Sequence, residues 1–184
     1  MKFGLIKSYM LLGGGKLFFK IAVQLKEKNI PFLVVTSIRH LDEKINEKSL
    51  KECLENNEIE FMVKDEINND QEVINKINST TIGICIAAPW ILRKSFIERF
   101  EGRLVNMHGT RLPQNRGGGG YTWQILNNNR LGFCLIHQFE EGLDTGPIVK
   151  YQEFLYPIQC RIPIEYMSMH NKNYENFIMK FIDE

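Results

Sequence analysis

The segment Thr81–Ala88 (TIGICIAA) most constrains what this chain can fold into: an uncharged, almost wholly apolar run closed by Pro89. A run with no polar alternation cannot leave one face in water. It therefore reads as a central strand, and the proline, which lacks a ladder donor, ends it. Pro31–Thr36 (PFLVVT) has the same character: short, β-branched and apolar. Further strands are expected at Lys2–Ile6, Ile59–Val63, Arg103–His108, Leu131–Gln138 and Ile148–Phe154.

Between these runs the spacing turns helical. Lys16–Lys28 offers Phe19, Ala22, Val23 and either Leu25 or Ile21 as an inward face. Leu41–Asn57 is charged and reads as a helix with a solvated outer side. Shorter helices are expected near Gln71–Ile77, Phe96–Phe100 and Tyr121–Leu126, and an amphipathic one from about Asn173 with Phe177, Ile178, Phe181 and Ile182 as its stripe. Two acidic residues at its end, Asp183 and Glu184, oppose the helix dipole, so continuation of the helix beyond them is expected. Alternating strands and helices predict an α/β fold: an open, mostly parallel twisted sheet flanked by helices, Rossmann-like, with a short C-terminal appendage. The catalytic core is expected over residues 1–156 and the extension over 157–184. Ligands of such sheets bind at the carboxyl ends of strands.

Composition narrows the function. Of 184 residues, 43% are hydrophobic and 24% charged, and the net charge of +1 leaves no strong field for nucleic acid or a membrane surface. No run approaches the roughly 18 apolar residues that span a bilayer, and the N-terminus lacks a signal-peptide pattern. The four cysteines form no CxxC and no Cys/His pair has zinc-finger spacing, so a reduced, cytoplasmic setting without a metal is expected. Cys85 and Cys134 lie in apolar runs and read as buried thiols.

Chemistry concentrates in Asn106–Gly146, NMHGTRLPQNRGGGGYTWQILNNNRLGFCLIHQFEEGLDTG. Asn106 and His108 stand two apart at a strand end, so both side chains project from one face. The imidazole can act as acid, base or donor, and the amide can donate to an oxyanion. Asp144 arrives from a second loop flanked by glycines, which permit close backbone approach. Taken singly, each also reads as structural: a satisfied strand-end histidine, an aspartate in a turn. His137 and His40 read as structural or surface residues. Gly13-Gly14-Gly15-Lys16 lacks the spacing of a P-loop or a dinucleotide fingerprint; it is either a tight turn or a phosphate cradle at a helix start.

Asn-x-His, a Leu-Pro dipeptide, a glycine-rich loop, an aromatic-bearing helix, a strand and then G-L-D-T-G-P: in order and spacing, over roughly Ile82–Val149, this resembles the folate-dependent formyltransferase family. The resemblance implies transfer of a formyl group from 10-formyltetrahydrofolate to a primary amine, with no metal. Asn106, His108 and Asp144 match the family's catalytic trio. Positions matching the folate-wrapping loops are Trp90, Ile91 and Leu92, and Glu140, Glu141, Gly142 and Leu143. Substrate contacts would fall to Gly13, Gly14, Gly15 and Arg116. The run Arg116–Gly120, with four glycines, departs from relatives that carry bulkier residues there, and His108 is followed by Gly-Thr-Arg-Leu-Pro rather than the Pro-Ser-Leu-Leu-Pro of the purine-synthesis branch. The tail, with Cys160-Arg161-Ile162-Pro163 and Glu165-Tyr166, is similar to enzymes acting on nucleotide-linked amino sugars. A nucleotide sugar is therefore the expected amine substrate. Glycinamide ribonucleotide or methionyl-tRNA formylation and formyltetrahydrofolate hydrolysis are the alternatives, and a homodimer is compatible with all of them.

Overall fold

The computed structural model describes residues 3–184. Contacts divide the chain into two compact units, one ending at Asn106 and the other beginning at Met107.

The first unit is built on β1 (Ser8–Gly13), β2 (Phe32–Thr36), β5 (Phe61–Val63), β6 (Thr81–Ile86) and β7 (Leu104–His108), the last of which runs on into the second unit. These strands pair in parallel: β1 lies between β2 and β6, β5 flanks β2, and β6 also pairs with β7. All six residues of β6 are buried, as an uninterrupted apolar run requires. The strand expected over residues 2–6 is instead β1. Lys2 lies outside the described residues, Leu5 is exposed, and the neighbours β2 and β6 pair with Ser8–Gly13, whose Met10, Leu11 and Leu12 are buried in succession.

Helix α1 (Gly15–Glu27) buries Leu17, Phe18, Ile21, Ala22 and Leu25. Ala22, Ile21 and Leu25 lie inward as expected, but Phe18 takes the place of Phe19 in the buried face, and Phe19 and Val23 stay half-buried. The segment expected as one long helix over 41–57 is broken. A short helix α2 (Ile38–Leu41) is followed by a two-stranded hairpin, β3 (Lys44–Ile45) with β4 (Lys48–Ser49), that turns through Asn46 at φ 61°. Helix α3 (Leu50–Asn56) then starts at a capping box: the Glu52 N–H donates to the Ser49 hydroxyl at 3.2 Å, and the Ser49 N–H donates to the Glu52 carboxylate at 2.7 Å. The short α4 spans Gln71–Ile74. Helix α5 (Lys94–Ile97) passes into a 3₁₀ turn at Glu98–Phe100.

The second unit contains α6 (Gly120–Leu126), β8 (Leu131–Gln138), β9 (Ile148–Leu155) and α7 (Pro163–Ile182). Strands β8 and β9 are antiparallel, with an irregularity where Ile136 faces Lys150 but His137 faces Ile148. Strand order is β5-β2-β1-β6-β7 in the first unit, and β8 pairs with β9 in the second, a mostly parallel α/β arrangement. Helix α7 begins ten residues before the expected Asn173, at Pro163, whose missing N–H costs nothing in a first turn. Its buried stripe is Tyr166, His170, Tyr174, Phe177, Ile178 and Ile182, whereas Phe181, expected in it, is half-buried. Among the described residues no helix is long and apolar enough to cross a membrane.

Cys53, Cys85 and Cys134 are buried and all four cysteines are free; burial pushes the Cys134 thiol up to about 12, out of nucleophilic range. The corrected face of α1 is testable by unfolding in denaturant. Phe18→Ala is expected to cost about 3–5 kcal/mol, as for a buried phenylalanine, and Phe19→Ala well under half of that.

Candidate active site

Strand β7 ends on Asn106, Met107 and His108, so the amide and the imidazole share a strand face. Beyond it, within the second unit, the chain closes a polar cluster around one carboxylate. Asp144 lies in the turn between β8 and β9, at φ 48°, a left-handed conformation that aspartate tolerates better than most residues. The Gly117 N–H donates to its Oδ2 at 2.8 Å. His108 Nδ1 lies 3.5 Å from Oδ2 and His137 Nε2 3.4 Å from Oδ1. The side chains of His108 and Asp144 are each 11% exposed and that of His137 is 2% exposed, so these charges meet with little water between them. The His137 contact, helped by the Gly117 N–H and the nearby imidazoles, outweighs burial and holds the Asp144 carboxyl at about 2.

The far nitrogens of both rings are also engaged. His108 Nε2 lies 2.8 Å from the Asn115 carbonyl and 3.0 Å from the Thr110 hydroxyl, which itself donates to the same carbonyl at 3.0 Å. His137 Nδ1 lies 2.8 Å from the Gln138 carbonyl. Carbonyl oxygens only accept, so Nε2 of His108 and Nδ1 of His137 carry hydrogen. The nitrogens facing Asp144 then donate only when the rings are protonated. A cationic imidazole against an ionised carboxylate is the arrangement that satisfies both ends of each ring.

His137, read from sequence as structural, thus belongs to the cluster, and Thr110 joins it unforeseen. Their signal was weak. Period two does place His137 on the face of Phe133 and Leu135, but its contact with Asp144 depends on the turn folding back over the end of β8. There the Gln138 N–H bonds the Pro147 carbonyl at 2.9 Å, and a Cβ on Gly146 would lie 1.9 Å from the Gln138 oxygen. Glycine is therefore required at 146 by a backbone contact. The cluster is held from behind by Tyr174, fully buried on α7, whose hydroxyl donates to the Leu135 carbonyl, lies 3.3 Å from the His108 carbonyl and accepts from the Leu135 N–H at 2.9 Å.

A cavity of about 360 Å³ opens beside His108, lined by Gly109, Thr110, Gly117, Gly120, Tyr121 and Pro163 among others. Arg116 is exposed and lines a neighbouring cavity of about 270 Å³ with Asn115 and Trp123. Glu140, Glu141, Gly142 and Leu143 are exposed beside Asp144.

The remaining sequence-predicted positions lie in the first unit. Ile91 is 90% exposed, but Leu92 is buried and packs in the core. Trp90 is half-buried and its indole N–H donates to the Lys64 carbonyl at 3.1 Å. Gly13 has φ 138° with the Ile86 oxygen 1.9 Å from where a Cβ would stand, and a Cβ on Gly14 would strike the His40 ring. Close packing thus accounts for these two glycines. His40 is buried between Glu43 and the Ala87 carbonyl, a structural role.

The family model described as formyl transferase matches residues 7–160. Among curated relatives, the methionyl-tRNA formyltransferase of Mycoplasma genitalium is 33% identical over 119 residues, covering 64% of this chain and 38% of that protein. The chain thus spans little more than a third of the length of that relative. Among solved structures, phosphoribosylglycinamide formyltransferase from Bacillus halodurans superposes with a TM-score of 0.70 at 18% identity, covering 97% of this chain and 96% of that one. An N-formyltransferase from Helicobacter canadensis, solved with folinic acid and dTDP-3-aminofucose, gives 0.69 at 22%, covering 97% and 65%. At these identities the structural likenesses establish the fold.

Asp144 makes stability depend on pH. A carboxyl held below its ordinary value of 3.8 stabilises the fold above that value and ceases to as pH falls through about 2. Asp144→Asn is expected to lose about 2 kcal/mol of unfolding free energy at pH 6. Parallel urea titrations should show the deficit against the parent narrowing between pH 4 and pH 2.

Proposed function

The chain belongs to the formyl transferase family, and on that premise we propose that it transfers a formyl group from 10-formyltetrahydrofolate to a primary amine, with Asn106, His108 and Asp144 as its catalytic residues. The observation that carries this reading is the His108–Asp144 pair, 3.5 Å apart and largely withdrawn from water, on the strand that also presents Asn106.

In this reading a neutral amine attacks the formyl carbon, giving a tetrahedral intermediate with a negative oxygen and a positive nitrogen. The Asn106 amide donates to the oxygen. His108 donates through Nε2, whose hydrogen rests on the Asn115 carbonyl until the loop yields it to the stronger acceptor. Asp144 holds the imidazolium. With its carboxyl near 2 it is a weak base, so its main contribution is electrostatic, and the ammonium proton leaves through water. Collapse breaks the bond from the formyl carbon to the folate nitrogen, which takes up a proton. Thr110 positions His108 by bonding both Nε2 and the carbonyl that Nε2 faces.

For the acceptor we favour the amino group of a nucleotide-linked sugar. The tail that motivates this choice reaches the reactive side, since Pro163 lines the same cavity as His108. Methionyl-tRNA is the second reading, favoured by the 33% identity to the Mycoplasma genitalium enzyme. Incubation with 10-formyltetrahydrofolate and, in separate arms, nucleotide-linked amino sugars, glycinamide ribonucleotide, methionyl-tRNA or no amine, following tetrahydrofolate release, tests all of these. Release without any amine identifies a hydrolase; release in no arm refutes the proposal.

Loss of one oxyanion donor typically costs about 10²–10³ in rate, so Asn106→Ala and His108→Ala should each lower kcat by that order with unchanged far-UV circular dichroism. Near-parental rates in both would remove the assignment. Thr110→Val should lower kcat about threefold to tenfold, the worth of one neutral hydrogen bond, and Thr110→Ser should restore it.

A further inference from the structure

We propose that His108, His137 and Asp144 also form a binding site for one divalent transition-metal ion of the zinc type, and that its occupation blocks formyl transfer. The blocking half rests on the transfer reading above; the binding half does not.

The argument begins with the nitrogens turned away from Asp144. His108 Nε2 is 2.8 Å from the Asn115 carbonyl and His137 Nδ1 is 2.8 Å from the Gln138 carbonyl. Those contacts place hydrogen on the outer nitrogen of each ring. In the neutral rings, the lone pairs of His108 Nδ1 and His137 Nε2 are therefore directed at the Asp144 carboxylate. Metal-ligating histidines are held in this way, one nitrogen on a backbone carbonyl and the other toward the ion. Two lone pairs and a carboxylate facing one another require a positive charge among them. A proton supplies that charge, and so does a dication.

The spacing fits. His108 Nδ1 and His137 Nε2 lie 3.5 and 3.4 Å from the two carboxylate oxygens, and the three donor atoms fall within 4.8 Å of one another. For ligands at about 2.0–2.1 Å from a tetrahedral ion, neighbouring donors sit about 3.4 Å apart. The triangle of one atom from each residue, within 4.8 Å, contracts to take up the ion. Two imidazoles and one carboxylate suit zinc or cobalt. The cavity of about 360 Å³ lies against His108, the one of the three ligands that lines it. Occupation would tie up His108 Nδ1 and both faces of the Asp144 pairing, leaving a neutral ring without the charge that strengthens its donation to an oxyanion.

The test uses the full chain, freed of any affinity tag and pretreated with chelator. Zinc is titrated in competition with a chromophoric chelator, and cobalt is followed by visible spectroscopy. The expected result is one ion per chain, cobalt bands of nitrogen and oxygen ligation with no thiolate charge-transfer band, and affinity at least about tenfold lower in both His137→Gln and Asp144→Asn. Cys160→Ser, which removes a partly exposed thiol, should bind as the parent does. No stoichiometric binding, binding indifferent to both substitutions, or a thiolate band overturns the site. Formyl release is then measured with and without one equivalent of zinc. Stoichiometric binding with undiminished transfer overturns the block. A chain inactive toward every amine refutes the transfer reading, while the spectroscopic titration still decides the site.

Discussion

The carboxylate of Asp144 organises the second unit. It accepts the Gly117 N–H at 2.8 Å and faces both His108 and His137. Through these three partners it ties together the end of β7, the glycine-rich loop, the end of β8 and the turn before β9. A carboxylate taken from water into such a place is costly unless charged or donating groups meet it. Here they do, and the carboxyl stays ionised down to about pH 2. Removing the partners would leave an uncompensated charge, so the positions of residues 108, 117 and 137 are set by the same requirement.

Backbone supports that arrangement as much as side chains do. The Asn115 carbonyl orients His108, the Gln138 carbonyl orients His137, and Gly146 lets the turn close against β8 at a distance no Cβ allows. Behind the strand ends, Tyr174 reaches from α7 to the His108 carbonyl. His108 is thereby held at its backbone, at both ring nitrogens and through Thr110. Preorganisation of this kind is what electrostatic stabilisation of a transition state requires, because the donors need not reorient when charge develops.

Most strands were legible in the sequence because burial on both faces leaves an uninterrupted apolar run: Thr81–Ile86 and Phe32–Thr36 lie where their composition puts them. Leu131–Gln138 did too. The errors have specific causes. The first strand lies at Ser8–Gly13 rather than 2–6: the apolar residues before Lys7 have strand character, but β2 and β6 pair with the later segment. The hairpin within 41–49 depends on a left-handed Asn46, and the Ser49–Glu52 capping box that starts α3 went unread. Helix α7 starts earlier than its C-terminal apolar stripe indicates, because Tyr166, His170 and Tyr174 continue that stripe toward Pro163.

By itself, the sequence determined the class of the fold and the segment that bears the candidate chemistry. Apolar runs must be buried, and Asn106 and His108, two apart on a strand, must share a face. The contribution of His137 and Thr110, and the convergence of two imidazoles on one carboxylate, were decided only by the tertiary structure. The contacts of the two imidazoles with Asp144 join residues 7 and 36 positions apart through a strand return and a loop closure. Nothing in local spacing encodes such distances; they follow from which backbone groups remain to be paired once the strands are in place.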